Sequence, residues 1–286
     1  MMQRQKTIAL VDGSIYSASV CDHAAWIAGR TEAPVEVIHV LGRRDASDMH
    51  DHSGAIRLGA RSALLEELAT LDAQRAKLIS QRGRAILEDA AALLERAGVP
   101  EVTTRLRQGD IVEAVADVEA EAGVILIGKR GEAADFAKGH LGSNLERIVR
   151  ASHKPVFVAS RAFRPIRKVL IAFDGGASAM KAVDHLAQSA LFRGLGVHVV
   201  TVGAETAEGA AAIGDAKARL KAAGIDAETS ILPGHPETTL VRLVEEARFD
   251  MLVMGAYGHS RIRSLIIGST TTAMIRSCKV PVLLVR

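Results

Sequence analysis

Three glycines and a run of hydroxyl side chains near the C-terminus could together bind phosphate. In the segment "GAYGHSRIRSLIIGSTTT", Gly255 follows the aliphatic run "MLVM", Gly258 comes three residues later, and Gly268 precedes Ser269. Glycine allows a ligand to approach the backbone and permits turns that a Cβ would exclude. A helix that begins after Gly268 would present free N–H groups and a positive dipole end to an anion.

Each part of this segment also has an ordinary structural explanation. The glycines could form a tight turn, Ser269 could only cap a helix, and His259, Arg261 and Arg263 could be solvated. Taken together at the end of a predicted strand, they favour a phosphate-bearing ligand.

The chain repeats itself. Residues 6–29 align with 168–191 at an offset of 162, which places Asp12 over Asp174, and residues 141–159 align with 267–285 at an offset of 126. The difference of 36 residues is extra length inside the first copy, and it is predicted to be mainly a helical insertion at 43–78. The insertion has an apolar stripe, formed by Leu64, Leu65, Leu68, Leu71 and Leu78. Such a stripe usually packs on its own core, and the alternative is that it docks a partner.

The repeat predicts two domains, residues 1–161 and 166–286, which meet near Pro165. In the second copy, apolar strands predicted at 168–173, 196–202, 227–232, 250–255 and 280–285 alternate with helices at 177–191, 208–223, 236–247 and 270–277. Apolar strands separated by helices are typical of a parallel sheet covered on both faces. We therefore expect an α/β protein with two tandem doubly wound domains.

Composition excludes several classes of protein. Apolar residues make up 48% of the 286 residues, which supports a sizeable core, and the aliphatic runs are too short to cross a membrane. The net charge is +3 and aromatic residues are 3%, which argues against a nucleic-acid-binding surface. The basic N-terminus lacks a signal-peptide core because Asp12 interrupts its apolar run, so a cytoplasmic location is expected. Cys21 and Cys278 are predicted to be buried thiols.

The spacing Gly255-x2-Gly258-x9-Gly268-Ser269 resembles the nucleotide-binding signature of the universal stress protein family. The strands that end in Asp12 and Asp174 and the ending "KVPVLLV" extend this resemblance over nearly the whole chain. It implies a Rossmann-like fold of the adenine-nucleotide alpha hydrolase type and a site for ATP or another adenine nucleotide, with or without Mg²⁺. The resemblance implies that Asp174 and Val202 flank the adenosine. It implies that the ribose and phosphates contact Met254, Gly255, Gly258, Gly268, Ser269, Thr270 and Thr271. Asp174 could instead cap the following helix.

The first copy departs from this pattern. It has ten residues between its second and third glycines where the second copy has nine, and Asn144-Leu145 replaces Thr270-Thr271. The corresponding residues that persist are Asp12, Val40, Gly128, Gly131, Gly142 and Ser143, with the basic Lys129 nearby. We therefore predict the stronger site in the second domain.

Three functions remain open. The first is a nucleotide-binding protein of stress response or signalling. The second is a slow ATPase or adenylating enzyme, for which no catalytic residue beyond Asp174 and no metal ligand can be named. The third is a protein-association scaffold with a vestigial site. In the resembled family the last strand pairs across a dimer interface, so we expect "KPVFVA" and "VPVLLV" to pair within the chain as a pseudo-dimer, with a homodimer of two chains left open.

Overall fold

One continuous ten-stranded sheet forms the centre of the protein. The computed structural model describes residues 5–42, 60–129, 131, 142–256 and 269–286. The strands are β1 (Lys6–Leu10), β2 (Val35–Leu41), β3 (Val102–Gln108), β4 (Ala122–Gly128), β5 (Val156–Ala159), β6 (Lys168–Ala172), β7 (Gly196–Val202), β8 (Ala227–Leu232), β9 (Met251–Gly255) and β10 (Val282–Val285).

Helices connect the strands and cover both faces of the sheet. In the described ranges they are α1 (Ser17–Thr31), α2 (Ala60–Arg96), α3 (Ile111–Glu119), α4 (Ser143–Ala151), α5 (Ala177–Gln188), α6 (Ala207–Ala222), α7 (Pro236–Glu246) and α8 (Ser269–Ser277). The helix predicted to run to residue 191 ends at Gln188, because Ser189 leaves the helical conformation and its Oγ accepts from the N–H of Leu191 in a short 3₁₀ turn. In the described ranges no helix is long and apolar enough to span a membrane.

The strand order shows two copies of one unit joined at their last strands. The order is β3-β2-β1-β4-β5-β10-β9-β6-β7-β8. All neighbouring strands are parallel except β5 and β10, which are antiparallel, with Val282 opposite Val158 and Leu283 opposite Phe157. The predicted fold class, two tandem doubly wound parallel-sheet units, is confirmed.

Two apolar clusters, one on each face, hold the halves together. One packs α1, α2, α5 and α6 on the sheet, the other packs α3, α4, α7 and α8, and both clusters contain residues from the two halves. Phe157, at the junction of β5 and β10, is fully buried. Because burial of apolar surface is the main favourable contribution to folding, this shared core makes the halves a single packed body.

The long helix α2 packs on the sheet only in its C-terminal part. Leu87, Ala90 and Leu94 are buried there, and Gly83 lies so close to β2 and β3 that a Cβ on it would be 2.8 Å from Leu106 Cδ1. Leu64, Leu71 and Leu78 are 38%, 54% and 65% exposed. The expectation that this stripe packs on its own core is therefore wrong for these three leucines. The side chain of Leu65, and residues 43–59 of the predicted insertion, lie outside the described part of the chain.

Candidate functional site

The ends of three adjacent strands in the second half form the candidate site. Ala172 of β6 lies opposite Val200 of β7 and opposite Met254 of β9, so these parallel strands end at the same edge. The strand order reverses at β6. The next two strands of the chain, β7 and β8, lie on one side of β6, and β9 lies on its other side. Ligands of open α/β sheets bind at the carboxyl ends of strands at such a reversal.

Four of the predicted site residues occupy this edge. Asp174 follows β6 by two residues, Val202 is the last residue of β7, and Met254 and Gly255 are the last residues of β9. Val202 is half-buried and Met254 is 5% exposed. The fold thus brings together residues that are 80 positions apart in the chain.

Asp174 holds a turn ahead of α5. Its Oδ1 accepts a hydrogen bond from the N–H of Gly176 at 2.8 Å, and Gly175 between them has a φ of 74°, which favours glycine. The N-cap of α5 is Gly176, with no side-chain capping bond. Asp174 therefore forms a turn before the helix and does not cap it. One carboxylate oxygen is committed to the turn.

The same turn recurs in the first half. Asp12 Oδ1 accepts from the N–H of Ser14 at 3.0 Å and lies 3.4 Å from Ser17 Oγ, which can donate to it. Gly13 has a φ of 76°, close to that of Gly175. The repeated Asp-Gly pair therefore produces the same local geometry at both sites, and it holds each aspartate at the strand edge.

The first-half site residues also gather at the end of their strands. An added Cβ on Gly131 would lie 2.8 Å from Asp12 Oδ2, so this glycine is in close contact with the carboxylate. Val40 and Gly128 lie at the ends of β2 and β4, and Gly142 is the N-cap of α4, which begins at Ser143. The structure thus brings the six residues to the ends of β1, β2 and β4 and to the start of α4.

Gly255 is needed for a reason that the sequence did not indicate. A Cβ on it would lie 2.8 Å from Ser178 Cβ and 2.9 Å from the backbone nitrogen of Ala179. These atoms belong to the first turn of α5, so the close approach is to a helix. This corrects the interpretation that Gly255 makes room for a ligand, because the space of its missing side chain is occupied by protein.

The start of α8 provides the candidate phosphate-binding end. Ser269 is its first residue, Thr270 is half-buried, and Thr271 is 3% exposed. Leu145, which aligns with Thr271, is 1% exposed at the start of α4. Thr271 and its counterpart Leu145 therefore both lie in the core. The difference between the two helix starts that a ligand could contact is Thr270 in α8 and the exposed Asn144 in α4. Gly258, Gly268 and the three basic residues of the intervening segment lie outside the described residues.

Two cations link the halves at the opposite ends of these helices. Lys129 Nζ, just after β4, donates to the carbonyl of Cys278 at the C-terminal end of α8. The guanidinium of Arg286, just after β10, donates to the carbonyl of Arg150 in the last turn of α4 at 2.8 Å. A cation near a helix C-terminus is favourable because the last carbonyls lack partners there. Lys129 therefore contacts the other half of the chain, which its position beside the glycines of the first copy did not predict.

The two cysteines lie in the core and not at the strand edge. Cys21 and Cys278 are both buried, as predicted, and burial raises the pKa of the thiols to about 12 and about 11. At neutral pH both are protonated, which makes them poor nucleophiles. They contribute packing and no reactive group to the candidate site.

Known sequences are similar to this chain over nearly its whole length. The family model described as the universal stress protein family matches residues 3–160 and 165–286. The chain belongs to the universal stress protein family. A curated relative, universal stress protein Slr1230 of Synechocystis sp., is 40% identical over 279 residues, which cover 96% of this chain and 97% of the relative.

A solved member of the family has the same tandem architecture. The crystal structure of a universal stress protein from Archaeoglobus fulgidus superposes with a TM-score of 0.73 at 20% identity, and the match covers 100% of this chain and 99% of that one. At this identity the likeness concerns the fold. The tandem arrangement is thus shared with another universal stress protein.

Proposed function

We propose that this universal stress protein binds ATP or a related adenine nucleotide, chiefly in its second half, and acts in cytoplasmic stress response or signalling. The observation that carries the proposal is the junction of β6, β7 and β9, where Asp174 is held in a turn at the reversal of strand order. An adenine nucleotide is the ligand that the family resemblance implies for this place.

In the proposed complex, one group of residues contacts the adenosine and another contacts the phosphates. Asp174 and Val202, at the ends of adjacent strands, flank the adenosine, and Met254 and Gly255 lie beside the ribose. The start of α8 receives the phosphates, because its first N–H groups have no partners within the helix. Ser269 and Thr270 supply hydroxyls there, and Gly258 and Gly268 of the preceding segment let the phosphates approach the backbone.

The preference for the second half follows from the helix starts and the loop lengths. Thr270 offers a hydroxyl where the first half has Asn144, and the first half has one residue more before Gly142. Both halves keep the aspartate turn, so the first half can bind the same ligand with a less complete phosphate contact. The aspartates therefore provide a matched pair of positions for a test.

Asp174→Asn is expected to weaken ATP binding by roughly tenfold or more, because a hydrogen bond to a charged group contributes about 1.5–3 kcal/mol. The amide oxygen of asparagine can still accept from the N–H of Gly176, so the turn persists and the change removes mainly the charge. Titration calorimetry of the full chain measures the affinity and the number of sites.

The control is Asp12→Asn, which makes the same change in the first half and keeps the bond to Ser14. It should leave the tighter site intact. Equal losses in the two variants would contradict the preference for the second half. If purified wild-type protein binds no ATP, ADP, AMP or cyclic nucleotide, the proposed function is wrong. Analysis of the small molecule released by denaturing fresh protein identifies the bound nucleotide.

A further inference from the structure

The N-terminal part of α2 presents a row of leucines to solvent. Leu64, Leu68, Leu71 and Leu78, which we call the leucine stripe, are spaced by four, three and seven residues. Residues at these spacings lie on one face of an α-helix. Leu64, Leu71 and Leu78 are 38%, 54% and 65% exposed, and Leu68 is half-buried. An aligned row of exposed leucines is typical of an association surface.

The fold uses a different part of α2 for its own core. The buried residues Leu87, Ala90 and Leu94 pack against α1, β2 and β3 and begin well after Leu78. From Leu64 to Leu78 the helix runs about 21 Å, at 1.5 Å per residue. The leucine stripe is therefore separate from the face that attaches α2 to the sheet.

The charges along this part of α2 are divided into two blocks. Residues 62–72 contain only acidic charges, and Glu67 and Asp72 flank the leucine stripe, whereas Glu66 lies on the opposite face of the helix. Residues 73–84 contain only basic charges, and Arg75 and Arg82 lie beside the stripe, whereas Lys77 and Arg84 lie on the opposite face. A helix with one acidic and one basic block is complementary to a second copy of itself in the antiparallel direction. In the parallel direction acid would face acid, which is unfavourable.

Antiparallel pairing also aligns the leucines. With Leu71 on the twofold axis, Leu64 lies at the level of Leu78 of the second copy, and Glu67 lies at the level of Arg75. An isologous contact of this kind uses the same patch on both chains and closes at two copies. The strands β5 and β10 are already paired within the chain, so this contact needs no sheet edge.

We propose that two copies of this protein associate through the leucine stripes of α2, packed antiparallel with the acidic block of each helix against the basic block of the other. The proposal is independent of nucleotide binding.

The first test is the mass in solution. Sedimentation of the full chain should give twice the chain mass. Leu71→Glu combined with Leu78→Glu should raise the dimer Kd by roughly 100-fold or more, since each change removes a leucine that is buried in the dimer contact. The matched control is Ala69→Glu with Ala73→Glu, which adds the same charge at exposed positions on the opposite face of α2 and should leave the dimer intact. Circular dichroism checks that all variants are folded.

The second test uses charge. Glu67→Lys places a basic side chain at the level of Arg75 of the second copy, and Arg75→Glu places an acidic side chain at the level of Glu67 of the second copy. Each variant alone should be monomeric, and an equimolar mixture should recover a heterodimer. The proposal is overturned if the wild-type protein remains a monomer when its concentration is raised 100-fold. It is also overturned if Leu71→Glu with Leu78→Glu leaves the dimer Kd unchanged. A monomer destabilised by Leu71→Glu would show instead that the chain covers its own stripe.

Discussion

Gly255→Ala is expected to lower the free energy of unfolding by about 2 kcal/mol, the typical cost of an added methyl group in a packed interior. The new Cβ would lie 2.8 Å from Ser178 Cβ and 2.9 Å from the backbone nitrogen of Ala179. Backbone atoms cannot rotate away as a flexible side chain can, so β9 or the first turn of α5 must move. Urea unfolding followed by circular dichroism measures the change.

The same change should also weaken nucleotide binding. Asp174 bonds to the N–H of Gly176, which is the N-cap of α5, so a displaced first turn moves the carboxylate. We expect a loss of affinity even under conditions in which the variant is fully folded. Calorimetry with ATP below the onset of unfolding separates this effect from the loss of stability.

Gly214→Ala is the control for this experiment. Gly214 lies inside α6, and a Cβ there would meet no atom within 4 Å. The substitution should raise stability by up to about 1 kcal/mol, because alanine is the better helix former. Equal behaviour of the two alanine variants would show that the contact between β9 and α5 is not tight.

The second large effect concerns pH and His23. This histidine is fully buried, and burial lowers its pKa from 6.5 to about 4. Its Nδ1 lies 2.6 Å from the carbonyl of Ser19, so Nδ1 carries the proton and donates. Its ring contacts Phe157 and Phe163, and its Nε2 is buried without a hydrogen-bond partner among the described residues. A proton on Nε2 would place an uncompensated charge beside the β5–β10 junction.

The free energy of unfolding should therefore fall by about 3 kcal/mol as the pH decreases from about 6.5 to about 4. In this range the unfolded chain binds the proton and the native chain does not, so stability is fully present above pH 6.5 and is lost on acidification. The pKa of His185, also lowered by burial, acts in the same direction. Urea unfolding at half-unit steps between pH 4 and 8 measures the slope.

His23→Leu should reduce the number of protons taken up on unfolding, which this slope reports, by close to one, whatever the change does to stability at neutral pH. The matched control is His153→Leu, because the side chain of His153 is 78% exposed and its charge needs no burial. A slope that is the same in the wild type and in His23→Leu would mean that native His23 accepts a proton without cost.

Local sequence patterns predicted most of the fold. The strands at 196–202 and 227–232 are those of the structure, and three of the four predicted helices of the second half end within one residue of the prediction. These elements could be predicted because apolar strands and capped, periodic helices depend on residues close together in the chain. The pairing of β5 with β10 was expected from the family resemblance, and the structure shows that it is antiparallel.

The site was predictable in part. The family resemblance identified Asp174 as a candidate, but its bond to Gly176 and the contact of Gly255 with α5 could not be predicted from the sequence. Nor could the bonds from Lys129 and Arg286 to helix ends of the opposite half. A basic residue after a strand has no sequence feature that reveals which distant carbonyl it reaches.

The sequence by itself determined that the chain is a duplicated α/β unit, because repetition and periodicity are properties of the chain. The glycines and hydroxyl residues after a strand indicated a phosphate-bearing ligand, and the family resemblance implied that this ligand is an adenine nucleotide. Only the tertiary structure decided which glycine is constrained by a helix, that Thr271 is a core residue, and that Leu64, Leu71 and Leu78 of α2 stay exposed. These facts depend on contacts between residues far apart in the chain, and burial is fixed only when the packed elements are in place.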